Sequence, residues 1–247
     1  MADLAAPEIS VVVPARNEAN NLAVLIGEIV AALAGRDAEI IIVDDGSTDD
    51  TAALLARLAA EGVPVRHLRH DRSAGQSAAV RTGVWAAHGT FVATIDGDGQ
   101  NDPVYIPRLV DALKAAGPAV GIACGQRLKR TDTLAKRLAS RFGNGVRQHF
   151  LKDSTRDTGC GLKALRTDLF RQLPFFDGWH RYLPALVLRE GLGATHLDVV
   201  DRQRRFGTSN YTNLERALRG VADIRGVMWL RSRRRVVPAV TEVTLGR

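Results

Sequence analysis

Two cysteines, Cys124 and Cys160, are all that the chain contains. Neither stands in a CxxC or Cys/His spacing, so no disulfide framework and no cysteine-based zinc site is indicated; two buried thiols in a reducing cytoplasm are expected. Long hydrophobic runs are missing as well. No stretch reaches the roughly 18 apolar residues of a membrane span, and the N-terminus "MADLAAPEIS" lacks the basic flank and apolar centre of a signal peptide. A soluble or peripheral protein is expected. Aromatic residues make up only 5% of the chain. Nucleotide-binding signatures are absent too: GxGxxG does not follow the first apolar run, and GxxxxGK[ST] occurs nowhere. An EF-hand fails because the twelfth position counted from Asp96 is Pro107 rather than a bidentate glutamate.

What is present is an ordinary globular composition, 45% apolar and 25% charged, with an uneven charge distribution. The net charge is +7. Between Asp201 and Arg235 lie ten arginines against Asp201, Glu215 and Asp223, so that segment carries the whole excess and the remainder is neutral. Such an end requires an anionic partner: a phosphate-bearing substrate, a membrane surface or a nucleic acid. Only Phe206, Tyr211 and Trp229 accompany these arginines, too few aromatics for a base-stacking platform, so nucleic acid is the least favoured of the three.

Through the first half, short apolar runs alternate with helical patterns. "ISVVVP" precedes "NNLAVLIGEIVAALAG", "EIIIVDD" precedes "STDDTAALLARLAAEG", and "TFVATID" precedes "YIPRLVDALKAAG". This repeat predicts an α/β fold, a mostly parallel central sheet with helices on both faces, and a ligand at the carboxyl ends of its strands. Those ends read "PARNE", "DDGSTDD", "DGDGQND" and "CGQR", polar and glycine-bearing where a site would form. In "TIDGDGQNDP", Asp96 and Asp98 crowd a turn, and two close carboxylates call for a cation between them unless the turn is fully solvated. Asp102, before Pro103, reads as a helix cap. The second half is less regular: residues 156–166 read as a glycine-punctuated loop, 178–191 as helical, "ATHLDVV" as a final strand. Residues 213–230 read as an amphipathic helix with Leu214, Leu218, Val221, Ile224 and Met228 on one stripe. That helix either packs on the core or lies on an anionic membrane surface. The division expected is a catalytic domain over 1–212 and a basic extension over 213–247 without a transmembrane helix.

Seven stretches in order, "VVVPARNE", "IIVDDGSTDDT", "AGQSAAVRTG", "DGDGQNDP", "GQR", "DTGCGLKALR" and "RRFGTSNY", resemble the family-2 glycosyltransferases of GT-A fold, and among them the dolichol-phosphate mannosyltransferase group. The resemblance implies that Pro14, Ala15, Glu18 and Asp44 or Asp45 hold the base and ribose of a nucleotide sugar. It implies that Asp96, Asp98 and Gln100 hold Mg²⁺ or Mn²⁺ on the diphosphate, with Arg127 beside it. Leu128 stands where the family often has tyrosine. Many relatives that glycosylate hydroxyls carry an acidic pair late in the domain as general base, and none occurs near "FFDGWHRYLP". A phosphate acceptor is already anionic and requires cations instead. Arg202, Arg204, Arg205 and Ser209 are the candidates, with Asn210 where the family usually has lysine. Lys163 and Arg166 either face that phosphate or solvate a loop, and His180 is either an acceptor-side group or a structural histidine. The implied activity is inverting, metal-dependent transfer from GDP-mannose or a UDP-sugar to a polyprenyl phosphate for cell-envelope glycan synthesis. Asp98, Arg127 and Arg204 would be its catalytic residues, working peripherally at the inner face of the cell membrane. The alternatives are transfer to a glycan hydroxyl, or a nucleic-acid or membrane-surface module built on the arginine-rich end.

Overall fold

The computed structural model describes residues 6–128, 145, 147–202, 213–236, 238, 240 and 241, and of residues 213–219 the backbone alone. Seven strands form one sheet: β1 Ile9–Ala15, β2 Ala38–Asp44, β3 Val65–Arg69, β4 Phe91–Thr94, β5 Val120–Arg127, β6 Lys163–Arg166 and β7 Gly193–Val199, in the order β3-β2-β1-β4-β6-β5-β7. All pairings are parallel except those of β6, which runs antiparallel between β4 and β5. The expected mostly parallel sheet is therefore present. One reading is corrected: Lys163–Arg166 lies in the middle of the sheet rather than in a loop. Four residues are too short a stretch to show a period, and the glycines before it hide the strand.

The helices are α1 Ala19–Ala32, α2 Thr51–Ala60, α3 Gln76–Ala86, α4 Tyr105–Ala115, α5 Thr167–Gln172, α6 Leu183–Arg189 and α7 Asn213–Ser232, with a single 3₁₀ turn at Trp179–Arg181. Because successive strand residues face opposite ways, "VVV" of β1 feeds two cores. Val11 and Val13 join Leu22, Ile26 and Ile29 of α1 and Ile106 and Leu109 of α4 on one face. Val12 joins Val80 and Val84 of α3, Phe170, Trp179 and Leu186 on the other. Helix α3 lies very close to the sheet, since a β-carbon built on Gly83 would stand 2.3 Å from Val12 Cγ1. That approach brings the first residues of α3 to the carboxyl edge of the strands.

Helix α7 docks on the second core through Val227, fully buried, with Ile224 and Leu230 beside it. Arg189 Nε donates to the Leu230 carbonyl at 3.0 Å, Arg234 Nη2 to the Glu190 carbonyl at 2.8 Å, and Arg231 to the Leu151 carbonyl. Of the stripe read from the sequence, Ile224 faces the core while Val221 and Met228 point outward, with Trp229 59% exposed. No helix among the described residues is long and apolar enough to cross a membrane.

Candidate active site

Strands β1 and β2 end side by side, with Ala15 opposite Asp44, and their loops are stitched together. Asp45 N–H donates to the Ala15 carbonyl at 2.8 Å, Thr48 N–H to Asn17 Oδ1 at 2.8 Å and Ala19 N–H to Asp49 Oδ2 at 3.2 Å. Pro14 is half-buried and Ala15 buried at the mouth of this corner, and Glu18 Oε2 accepts Asn21 Nδ2 at 2.5 Å. The two adjacent aspartates do different things. Asp45 accepts His70 Nδ1 at 2.7 Å, Ser73 Oγ at 2.7 Å, and the backbone N–H groups of Ala74 and Gly75 at 2.8 Å each. Burial pulls its pKa upward, but these bonds outweigh it and hold the carboxyl below its ordinary value. Asp45 is a clamp on the segment entering α3. Asp44 has 0% exposure; Oδ1 accepts Ser47 N–H at 2.7 Å, whereas Oδ2 has no hydrogen-bond partner among the described residues. Arg69 Nε and His67 Nε2 stand 3.5 and 3.6 Å from it. Oδ2 thus has Arg69 and His67 within ion-pair distance while keeping its hydrogen-bonding capacity unused among the described residues.

Just beyond β4, Asp96 Oδ1 accepts Gln76 Nε2 from the first residue of α3 at 2.7 Å. Its carboxylate lies flat against Gly161, and Thr94 Oγ1 fixes the Gly161 carbonyl at 2.6 Å. Burial, and then the neighbouring Asp98, push the Asp96 pKa up to about 6, with Lys163 and Arg127 opposing. Asp98 Oδ1 accepts Gln100 N–H at 3.1 Å, so Asp96, Asp98 and Gln100 occupy one tight turn. Among the described residues no three His, Cys, Asp or Glu side chains are grouped to hold a metal ion by themselves. The turn offers two carboxylates and an amide, hard oxygen donors of the kind Mg²⁺ and Mn²⁺ accept when phosphate and water complete the shell.

On the far side, Arg127 at the end of β5 is held by two acids. Nε and Nη2 donate to Asp157 at 2.5 and 2.9 Å, and Nη1 to Asp201 at 3.1 Å. Burial works against its charge, but Asp157 and Asp201 raise its pKa above the ordinary value. The Asp201 pKa is itself raised by burial, against the pull of Arg127. Arg202 follows. Its N–H donates to the Gln100 carbonyl at 2.8 Å, while its guanidinium pairs with Glu28 at 2.6 Å and Asp102 at 2.7 Å. An arginine so engaged is a brace between the acid turn and α1. Asp102 also accepts Val104 N–H at 3.0 Å, capping the turn that enters α4.

Arg204, Arg205 and Ser209 lie outside the described residues. Lys163 fits neither of its expected roles: it is buried, and Nζ donates to the Cys160 carbonyl. Arg166, at the other end of the antiparallel strand, pairs with Asp168 at 2.8 Å on the opposite edge of the sheet. Gln76, Asp157, Gly161 and Asp201 were not singled out by the sequence. The stretches "AGQSAAVRTG" and "DTGCG", which hold the first three, stood out, but without a role for these side chains.

The model of "Glycosyl transferase family 2" matches residues 10–173. The undecaprenyl-phosphate 4-deoxy-4-formamido-L-arabinose transferase of Pectobacterium carotovorum is 35% identical over 84% of this chain and 63% of its own. The dodecaprenyl-phosphate galacturonate synthase of Rhizobium johnstonii is 32% identical over 90% of this chain and 67% of its own. The chain thus spans about two thirds of the length of these relatives. Among solved structures, glucosyl-3-phosphoglycerate synthase from Mycobacterium tuberculosis, in complex with Mn²⁺, UDP and glucosyl-3-phosphoglycerate, superposes with a TM-score of 0.68 at 22% identity. That match covers 91% of this chain and 80% of the synthase, and it shows a shared GT-A fold. With the matched segment running from the first strand through the acid turn to α5, the chain belongs to glycosyl transferase family 2.

Proposed function

We propose that the protein transfers a sugar from a nucleotide sugar to a polyprenyl phosphate, inverting the anomeric carbon in one displacement with a divalent metal on the diphosphate. The observation that carries this is the Asp96/Asp98 turn, where two carboxylates and the Gln100 amide crowd the carboxyl end of β4, a donor set suited to a divalent cation. Asp96, Asp98 and Gln100 would hold that ion, and its chemistry there is to offset the charge gathering on the departing nucleoside diphosphate. Asp44 Oδ2 accepts from a donor group of the base or ribose, with Pro14, Ala15 and Glu18 forming the rest of that corner. Arg127, steered by Asp157 and Asp201, orients toward the diphosphate.

Two observations support this acceptor. Relatives at 35% and 32% identity are named for undecaprenyl and dodecaprenyl phosphates. The acidic pair that many hydroxyl-glycosylating relatives use as general base is missing from "FFDGWHRYLP", and His180 within that stretch is pushed down to about 3 by burial, too weak a base for the task. A phosphate acceptor needs no such base, and Arg204, Arg205 and Ser209 are assigned to bind it. The outward stripe of Val221, Met228 and Trp229 on α7, with exposed Arg225, Arg233 and Arg235, is assigned to the inner face of the membrane that carries the lipid.

The test is to incubate the full chain with undecaprenyl phosphate, Mg²⁺ or Mn²⁺, and labelled GDP-mannose, UDP-glucose or UDP-galacturonic acid. Label should enter the lipid phase with one donor, and both EDTA and Asp98→Ala should stop it. Label that reaches only a soluble glycan would instead establish the hydroxyl acceptor.

A further inference from the structure

The 3₁₀ turn Trp179–Arg181 is anchored to the start of α3 through one residue. Ser77, 1% exposed, accepts Gly178 N–H at its Oγ at 2.9 Å, and its carbonyl accepts Trp179 Nε1 at 3.1 Å. Its Oγ also lies 2.7 Å from His180 Nδ1. The Ser77 hydroxyl hydrogen has no acceptor among its described contacts other than Nδ1, which makes Nδ1 the acceptor and places the ring hydrogen on Nε2. Burial, with Arg181 and Lys163 adding to it, keeps this ring uncharged. Nε2 makes no hydrogen bond among the described residues, and it is not one of the sealed, partnerless polar atoms of the interior. It is an open donor with a fixed tautomer.

Its place in the fold says what it would meet. Gln76 and Ser77 are consecutive, and one reaches Asp96 while the other holds His180. A nucleotide sugar is linear: base, ribose, diphosphate, sugar. With the nucleoside over β1 and β2 and the diphosphate at the end of β4, the sugar must extend past Asp96 toward the half of the sheet that contains β6 and Lys163. The His180 turn packs beside that half, its Trp179 sharing a core with Ile122 of β5 and Leu165 of β6.

Resting on the donor reading above, we propose that His180 is a specificity-determining residue that gives its Nε2–H to an oxygen of the transferred sugar. An uncharged donor suits this position. It reads a hydroxyl without adding a second cation beside the metal, and Ser77 holds its orientation before the substrate arrives.

The experiment is calorimetric titration of the full chain, with Mg²⁺, by UDP, UDP-glucose, UDP-galacturonic acid, GDP and GDP-mannose. It is run on wild type, His180→Ala and His180→Gln, glutamine being able to present an N–H near the Nε2 position. For whichever nucleotide sugar wild type binds, His180→Ala should weaken affinity about tenfold, the size of one lost hydrogen bond, while nucleoside diphosphate affinity stays within about twofold. His180→Gln should recover most of the loss. If both affinities fall together in both variants, or neither changes, the role is overturned. Wild type that binds none of the five overturns the donor reading itself and this role with it. Should the alanine variant fail to fold, the glutamine variant and Ser77→Ala carry the comparison, the latter weakening sugar-nucleotide binding alone.

Discussion

The Asp96 carboxylate rests on Gly161 so closely that a β-carbon built there would stand 2.4 Å from Asp96 Cγ. Gly161 belongs to the segment leading into β6, so the antiparallel strand provides the floor under the acid turn. Gly161→Ala must displace Asp96. We expect about a 100-fold loss of transferase activity, in line with an ångström-scale misplacement of a reacting group, in a protein whose circular dichroism is unchanged. Activity within threefold of wild type would show that the floor is not needed.

The separation of Asp44 from Asp45 predicts opposite phenotypes. Asp45→Ala removes the acceptor of four hydrogen bonds and should cost about 3 kcal/mol in urea denaturation. Asp44→Asn should leave stability nearly intact and weaken nucleotide binding about 10-fold to 100-fold. Interchanged results would assign the nucleotide to Asp45.

Helix α7 has a fold-bearing face and an outward face. Val227→Asp places a charge in a fully buried apolar site and should destabilise by about 3 kcal/mol or more. Trp229→Ala should change stability by less than about 0.5 kcal/mol yet reduce co-sedimentation with phosphatidylglycerol vesicles severalfold. Unchanged vesicle binding would remove the outward face from the membrane.

His180 also predicts a pH effect on stability. Its folded pKa, about 3, lies below the ordinary 6.5, so the unfolded chain takes up a proton first as the medium is acidified. The stability linked to the uncharged ring is complete above about pH 6.5 and is lost progressively toward pH 3. Urea denaturation at pH 7, 6, 5 and 4 should therefore show a shallower decline for His180→Gln than for wild type. Parallel curves would mean that the ring titrates normally.

The parallel half of the fold was readable in the sequence because strands buried on both faces are continuous apolar runs and their helices carry a full period. The position of the acid turn was readable because the carboxylates and glycines follow directly on such a run, while its role as a metal site came from the resemblance to family-2 glycosyltransferases. What could not be read is what depends on contact between distant segments. Nothing in "GCGLKALR" announces that Lys163 would cap carbonyls inside the protein, or that Gly161 would face Asp96. Arg202 stands only two residues before "RRFGTSNY", and nothing local announces that Glu28, on another helix, would hold it. On α7 the sequence left open which face meets the core, because the exposed residues Val221, Met228 and Trp229 are as apolar as Ile224, Val227 and Leu230.

On the proposed reading, the brace formed by Arg202 would place the two substrates in series. Its amide is fastened to Gln100 and its guanidinium to α1 and Asp102, so the chain enters residues 203–212 directly from the turn that is to grip the diphosphate. A donor that shifts Gln100 shifts the root of the arginine segment with it. The expected kinetic result is compulsory order, with the nucleotide sugar entering first and the nucleoside diphosphate leaving last. Product inhibition by the nucleoside diphosphate should then be competitive against the sugar donor and noncompetitive against the lipid.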